Sequence, residues 1–393
     1  LGLGLGACGL GDNSGLGDNS NNNGGLGLGD SSGNGGSSGE PFVYNCTTEE
    51  GEADAEGSDD VVAFVFSPSG TYLAVTADNK QLILFRTSPW ECISVRHAVR
   101  RSTSLAITEA EDQILLADKS GDVYSFSIVD PQKPGQLQLG HLSMLLAVAV
   151  SLKDRFVITA DRDEKIRVSS LEQPHIIEAF CLGHSEFVSE LCIPSNHPQL
   201  LLSGSGDGTV RLWQYLCGTE LDCFKMSDVQ ASGCQKARCT VTRIVHCKQG
   251  DYLAVLCDGF SSVYILQLDV VAQKLNHRQT IAVTQRAWDV AFDDSSGLWI
   301  LDGGMVVLYQ AQEGHWQNIL QHPDKLKMEE AIHGQMEESQ DSVIGNNYSS
   351  LYKVSLDNMA QYQWKKELRI HRTLNKRALE PVQLSGHSKR TTV

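Results

Sequence analysis

From Val61 onward the chain alternates short apolar runs with turn residues. Runs of about four to eight residues, rich in Val, Ile, Leu, Phe and Tyr and bounded by Gly, Asp, Asn, Ser or Pro, predict β-strands. VVAFVFSPSG, TYLAVTAD, QLILFRT and ECISVRHAV make a first set of four over Val61 to Val99. SLAI, QILLADKSG, DVYSFSIVD and GQLQLG make a second, through Gly140. Two more sets lie back to back from Gly140 onward through Trp213. VTRIVHCKQG, DYLAVLCDG, SVYILQLD and HRQTIAV form a fifth, and AWDVAFDDSSG, LWILDGG, VVLYQAQEG and HWQNIL a sixth.

The third and fourth sets share one design. Each opens on Leu-Gly-His (at Gly140-His141 and Gly183-His184), passes through an apolar strand and a second strand, turns, and ends its third strand in VSS or RLW. Asp78, Asp118, Asp161, Asp207, Asp258 and Asp302 mark successive turns at gaps of 40, 43, 46, 51 and 44 residues. That period and that order are those of WD-repeat blades, so the predicted fold is an all-β propeller. Six units are complete. A seventh could be assembled from a lone strand at Phe42–Asn45 and a last one at Tyr348–Val354, removing the free edge an open array would leave.

His184, Ser203, Asp207 and Trp213 fall where a blade's hydrogen-bonded tetrad stands. A Ser/His/Asp set also suggests a hydrolase, but no G-x-S-x-G elbow accompanies Ser203, and the tetrad reading predicts a structural serine with no catalytic residue.

Outside residues 61–355 the pattern changes. Residues 1–40 are Gly, Leu, Asn, Asp and Ser in short repeats and are expected to be disordered. Gly4, Gly6 and Gly9 fit G-x-G-x-x-G there, with neither strand nor helix around them to make a dinucleotide site. Residues 41–60 hold the lone strand and an acidic linker, EEGEADAEGSDD. Residues 321–350 read as a polar loop or insertion. Residues 356–380 predict a basic helix carrying Lys365, Lys366, Arg369, Arg372, Lys376 and Arg377, and residues 381–393 a disordered tail. The formal charge of −16 argues against wholesale nucleic-acid coating. Eleven cysteines without a C-x-x-C pair predict reduced, buried thiols and no metal site. No apolar run reaches the length of a membrane helix.

A propeller has no chemistry of its own, so function is sought in its charged turns. Arg96, His97, Arg100 and Arg101 cluster near one strand end, and Lys119 lies in the next blade's turn. Asp161 to Arg167 packs six charges around another turn, a pattern suited to a protein partner. SPSGTYLAVTADNKQLILFRTSPW, LLADKSGDVYSFS, LGHLSMLLAVAVSLKDRFVITADRDEKIRVS and FCLGHSEFVS resemble the WD-repeat, non-catalytic subunits of eukaryotic tRNA (guanine-N7)-methyltransferase. The likeness runs from about Phe42 to Lys366; the glycine-rich start departs from it. It implies a scaffold in heterodimer with a catalytic subunit that itself binds S-adenosylmethionine, tRNA contacted through the complex, and a nuclear setting with a cytoplasmic pool also compatible. It further implies partner-gripping roles for Asp163, Glu164 and Arg167, and a place near the tRNA or partner rim for Arg100 and Lys119. The rival expectation is a general WD-repeat adaptor, such as a ubiquitin-ligase substrate receptor or a chromatin-associated scaffold. Neither reading calls for a cofactor in this chain.

Overall fold

The computed structural model describes residues 58, 60–229, 238–312, 314–336, 348–353, 359 and 362–369. Among them stand six four-stranded sheets, each antiparallel and each built from consecutive strands. The first holds β1–β4 (Val61–Phe66, Tyr72–Ala77, Gln81–Thr87, Trp90–His97) and the second β5–β8 (Ser102–Ile107, Gln113–Asp118, Asp122–Ser127, Gln136–Gly140). The third holds β9–β12 (Leu145–Val150, Phe156–Asp161, Ile166–Ser170, Ile177–Cys181) and the fourth β13–β16 (Val188–Cys192, Leu200–Ser205, Thr209–Gln214, Thr219–Lys225). The fifth holds β17–β20 (Thr240–His246, Tyr252–Asp258, Ser262–Asp269, Lys274–Ala282) and the sixth β21–β24 (Ala287–Phe292, Leu298–Asp302, Met305–Gln312, His315–Ile319). The first strands pack side by side in series, β1 on β5, β5 on β9 and so on to β21. These are the blades of a WD-repeat β-propeller.

Each first strand carries a bulge at the same place, which skips Val62, Thr103, Leu146, Ser189, Thr242 or Trp288 in turn. A bulge adds twist and lets the strand bend. It also gives the true register of the repeat. The residues facing the first bulge partner are Ala77, Asp118, Asp161, Ser205, Cys257 and Asp302. The turn aspartates therefore do not share one position: Asp78 and Asp258 come one residue later, and Asp207 two.

The core lies between sheets. Ile158, Ile166 and Val168 of the third pack on Val188, Leu201 and Trp213 of the fourth, all nearly or wholly buried. Leu202, Val210 and Leu212, from the same strands of the fourth sheet, face Leu253, Val255 and Leu266 of the fifth. Because both faces of an interior blade are covered, the second strands carry continuous apolar runs such as Ile114–Ala117, Leu200–Leu202 and Leu253–Leu256. Burying each such side chain contributes about 1.5–3 kcal/mol.

Three expectations change. Residues 321–350 are not wholly a loop: Pro323–Met336 is a helix, α1, with proline at its first position, where the missing amide costs nothing. Its Met328 packs on Trp299 and Leu308 of the sixth sheet, while its other turns are too polar to give an apolar stripe. Tyr348–Ser350 is a 3-10 turn instead of the start of a strand. Arg96 does not join the surface cations: it is 8% exposed, donates from Nη1 to the Ser127 carbonyl at 2.8 Å, and stacks 5.2 Å from the Phe126 ring centre. Opposite Leu82 in the ladder, it faces inward. The lone strand near Phe42, the start and tail expected to be disordered, the acidic linker as far as Gly57 and much of the expected helix over residues 356–380 lie outside the described residues. Lys353–Val393 form a separate unit, in which residues 362–369 are helical and mostly exposed.

Candidate functional site

The turn joining β10 to β11 is built from its own charges. Asp161 accepts from the Lys165 amide at 3.0 Å and from His141 Nδ1 at 3.1 Å, while His141 Nε2 meets Thr159 Oγ1 at 2.8 Å. These bonds, above all the one from His141, hold the Asp161 carboxyl below its usual range although burial opposes them. Glu164 takes φ of +74°, closing the turn in the left-handed region, and is half-buried. Asp163 and Lys165 are exposed. Scaffold and display are thus divided between neighbouring residues.

Arg167 belongs to the scaffold as well. Its Nε donates to Ser169 Oγ at 2.9 Å, Nη1 to the Gly140 carbonyl and Nη2 to the Pro174 carbonyl, each at 3.1 Å. The bond to Gly140 ties the third sheet to the end of the second. Arg167→Glu should therefore cost about 2–3 kcal/mol of stability, because carbonyls lose their donor and a carboxylate is set against them. Thermal melting of the isolated chain checks this, so loss of a partner in that variant alone does not locate the partner's contact.

Lys119, in the turn joining β6 to β7, and Arg100, in the connection leading into β5, lie at the same end of the neighbouring blade. Both are exposed. The Lys119 amide donates to the Arg101 carbonyl at 3.1 Å, just as the Arg162 amide donates to that of Met144 at 2.9 Å, so Lys119 and Arg162 occupy equivalent places. Arg101 itself pairs with Asp78. Partial burial, with the positive charge of Arg101 added, lowers the Lys119 ammonium below its ordinary value, against the pull of Asp78.

In the fourth sheet Trp213 Nε1 donates to Ser203 Oγ at 2.8 Å, Ser203 meets His184 Nε2 at 2.7 Å, and His184 Nδ1 meets Asp207 at 3.0 Å. A carboxylate only accepts, so Nδ1 carries the proton and Nε2 takes the serine hydroxyl. Ser203 has no exposed surface. A nucleophile must reach its substrate; this one cannot. The second sheet has Ala98 where the third has His141, both amides bonding into the preceding turn, and Asp118 Oδ2 is buried without a hydrogen-bond partner. Among the described residues no His, Cys, Asp or Glu cluster could hold a metal ion, and no helix is long and apolar enough to cross a membrane.

The family model described as the tRNA methyltransferase TRM82 WD40 domain matches residues 37–136 and 129–301. The chain is 47% identical over 341 residues to the tRNA (guanine-N(7)-)-methyltransferase non-catalytic subunit WDR4 of Bos taurus, covering 82% of this chain and 81% of that one. To the protein of the same description in Danio rerio it is 45% identical over 364 residues, 87% and 88% of the two chains. The wuho protein of Drosophila melanogaster, also described as the non-catalytic subunit, is 41% identical over 160 residues, 40% of this chain and 37% of that one. The chain belongs to this family. Its relatives are named for lacking catalysis, in keeping with a buried Ser203 and a tetrad that is wholly structural.

One constellation in this family member escaped the sequence. Glu190, Arg243 and Asp289 each stand just past the bulge in the first strands of the fourth, fifth and sixth sheets. Arg243 Nη1 meets Glu190 at 3.3 Å and Nε meets Asp289 at 3.1 Å, making one line of ion pairs along the inner strands. Burial, helped by Asp289 and opposed by Arg243, pushes the Glu190 carboxyl up to about 7. The three are 53 and 46 residues apart in the chain and align only once the bulges are known.

Proposed function

We propose that this protein is the non-catalytic subunit of a tRNA (guanine-N7)-methyltransferase. It forms a heterodimer with an S-adenosylmethionine-binding catalytic chain and adds a basic edge to the surface that meets tRNA. Family membership supports the assignment, and one observation carries the site. A charged turn with Asp163 and Lys165 exposed is held by the hydrogen bonds of Asp161 and Arg167, at the same end of its blade as Arg100 and Lys119 on the adjoining one. Complementary charges fix the register of a docked protein, and a separate group of cations positions phosphates without reading sequence. With a chain charge of −16, any contact with tRNA must be local.

Reconstitution tests this. The isolated chain should transfer no methyl group to tRNA and bind no S-adenosylmethionine, whereas co-expression with a catalytic subunit should yield a stable pair that forms 7-methylguanosine. Ultraviolet crosslinking of that pair to labelled tRNA should tag this chain. A general adaptor would give neither pair nor crosslink.

A further inference from the structure

Residues Tyr348–Tyr352 add no strand to any sheet, yet they are pinned across the turn ends of three consecutive blades. Met144, Phe187 and Thr240 hold one structural position in the third, fourth and fifth sheets, directly before the first bulge partner. The segment meets the fourth and fifth blades at that position, and the third one through Arg162, which is bonded to Met144. In the fourth, Phe187 is fully buried; Tyr348 stacks on it at 6.2 Å with planes 2° apart, and Tyr352 meets it edge-on at 5.1 Å. A Cβ at Gly206 would stand 2.5 Å from the Phe187 ring, so glycine there makes room for it. In the fifth, the Tyr352 hydroxyl lies 2.7 Å from Thr240 Oγ1, and Arg238 covers the ring at 4.3 Å. Tyr352 is 6% exposed.

The third contact is with the docking turn. Arg162, whose amide is bonded to Met144, donates from Nε to the Leu351 carbonyl at 3.1 Å and from Nη2 to the Ser350 carbonyl at 3.4 Å. Arg162 immediately precedes Asp163, and Glu164 closes the turn at positive φ, as Lys80 does at the equivalent place in the first sheet, so the clasp bears on where the turn is held and not on its local form.

We propose that Tyr348–Tyr352 is a strap that positions the Asp163–Lys165 turn for the catalytic subunit, with Arg162 as the clasp. This rests on the docking reading above. The strap touches no partner; it raises the fraction of molecules whose turn is already in the docking conformation. If its loss cuts that fraction to about a tenth, apparent affinity falls about tenfold.

The test uses the full chain and the catalytic subunit, with Tyr352→Ala, Tyr352→Phe, Arg162→Gln and the Tyr352→Ala/Arg162→Gln double variant. Each of Tyr352→Ala and Arg162→Gln should weaken binding about tenfold, and the double variant by no more than about twofold beyond either, because both break one link. Tyr352→Phe, which keeps the ring contacts, should recover most of the affinity. In the chain alone, hydrogen exchange at the Arg162 and Lys165 amides should speed up in Tyr352→Ala. Should Tyr352→Ala not fold, Arg162→Gln leaves the aromatic anchor intact and decides the same point. Unchanged exchange, additive losses near a hundredfold, or unchanged affinity with faster exchange would each overturn the proposal. A wild-type chain that binds no catalytic subunit would instead sink the docking reading, and the exchange arm would still report whether the strap holds the turn.

Discussion

Reversing Asp163 to lysine should weaken binding of the catalytic subunit by about thirtyfold or more while leaving the melting temperature of the isolated chain within about 1 °C. Exposure gives the second half of that expectation. The Asp163 carboxylate is at the surface, and its residue's bond within the turn runs through the backbone carbonyl, which accepts from Lys165 Nζ at 3.5 Å. Substituting a surface residue outside any buried network moves stability by about 0.5 kcal/mol or less. The first half follows from desolvation on docking. A charge placed against a cation of the partner and buried in the interface costs about 2–5 kcal/mol when one member is lost, and a like charge does worse. Titration of the purified pair by calorimetry, with melting of the free chain alongside, checks both. Arg167→Glu makes a poor substitute because it breaks three bonds that hold the blade together.

How far the sequence foretold this site depends on which residues are asked. Strands were legible because turn residues bound each apolar run, and the Leu-Gly-His openings at His141 and His184 exposed the repeat. Register was less so. The turn aspartates mark neighbouring but unequal positions, since a blade can close its turn through Asp161 bonded to His141 or through Asp207 bonded to His184. Arg96, His97, Arg100 and Arg101 look alike in sequence, but Arg96 lies within β4 and turns inward against Phe126, whereas Arg100 stands past the end of that strand at His97 and is exposed. The partition of the ADRDEKIR turn into scaffold and display could not be read at all, because it depends on carbonyls at Gly140, Pro174 and Leu351. Tyr348 and Tyr352 read in the sequence as members of a last strand over Tyr348–Val354. Only the distant Phe187 ring gives them another use.

Stability should respond most to Asp207→Ala. The Asp207 side chain is 6% exposed and His184, its partner, is not exposed at all. Besides His184 Nδ1, Asp207 accepts from the Ser185 and Thr209 amides, each at 3.0 Å, and from Thr209 Oγ1 at 2.7 Å. Truncation leaves those donors facing a methyl group. An unsatisfied buried donor costs about 1–3 kcal/mol, and partial relaxation sets the expected loss at about 3 kcal/mol at pH 7. The same bonds, His184 first, hold the Asp207 carboxyl far below its usual range against the opposing effect of burial. A depressed carboxyl contributes stability that is complete above the unfolded value, about pH 4, and is lost as pH falls through the folded one. Urea denaturation of both proteins should therefore show a gap of about 3 kcal/mol that is flat from pH 7 to about pH 5 and narrows below pH 4. A gap that persists undiminished at pH 3 would mean the carboxylate is not what those donors require, and the tetrad's stabilisation would have to come from packing of Trp213 alone.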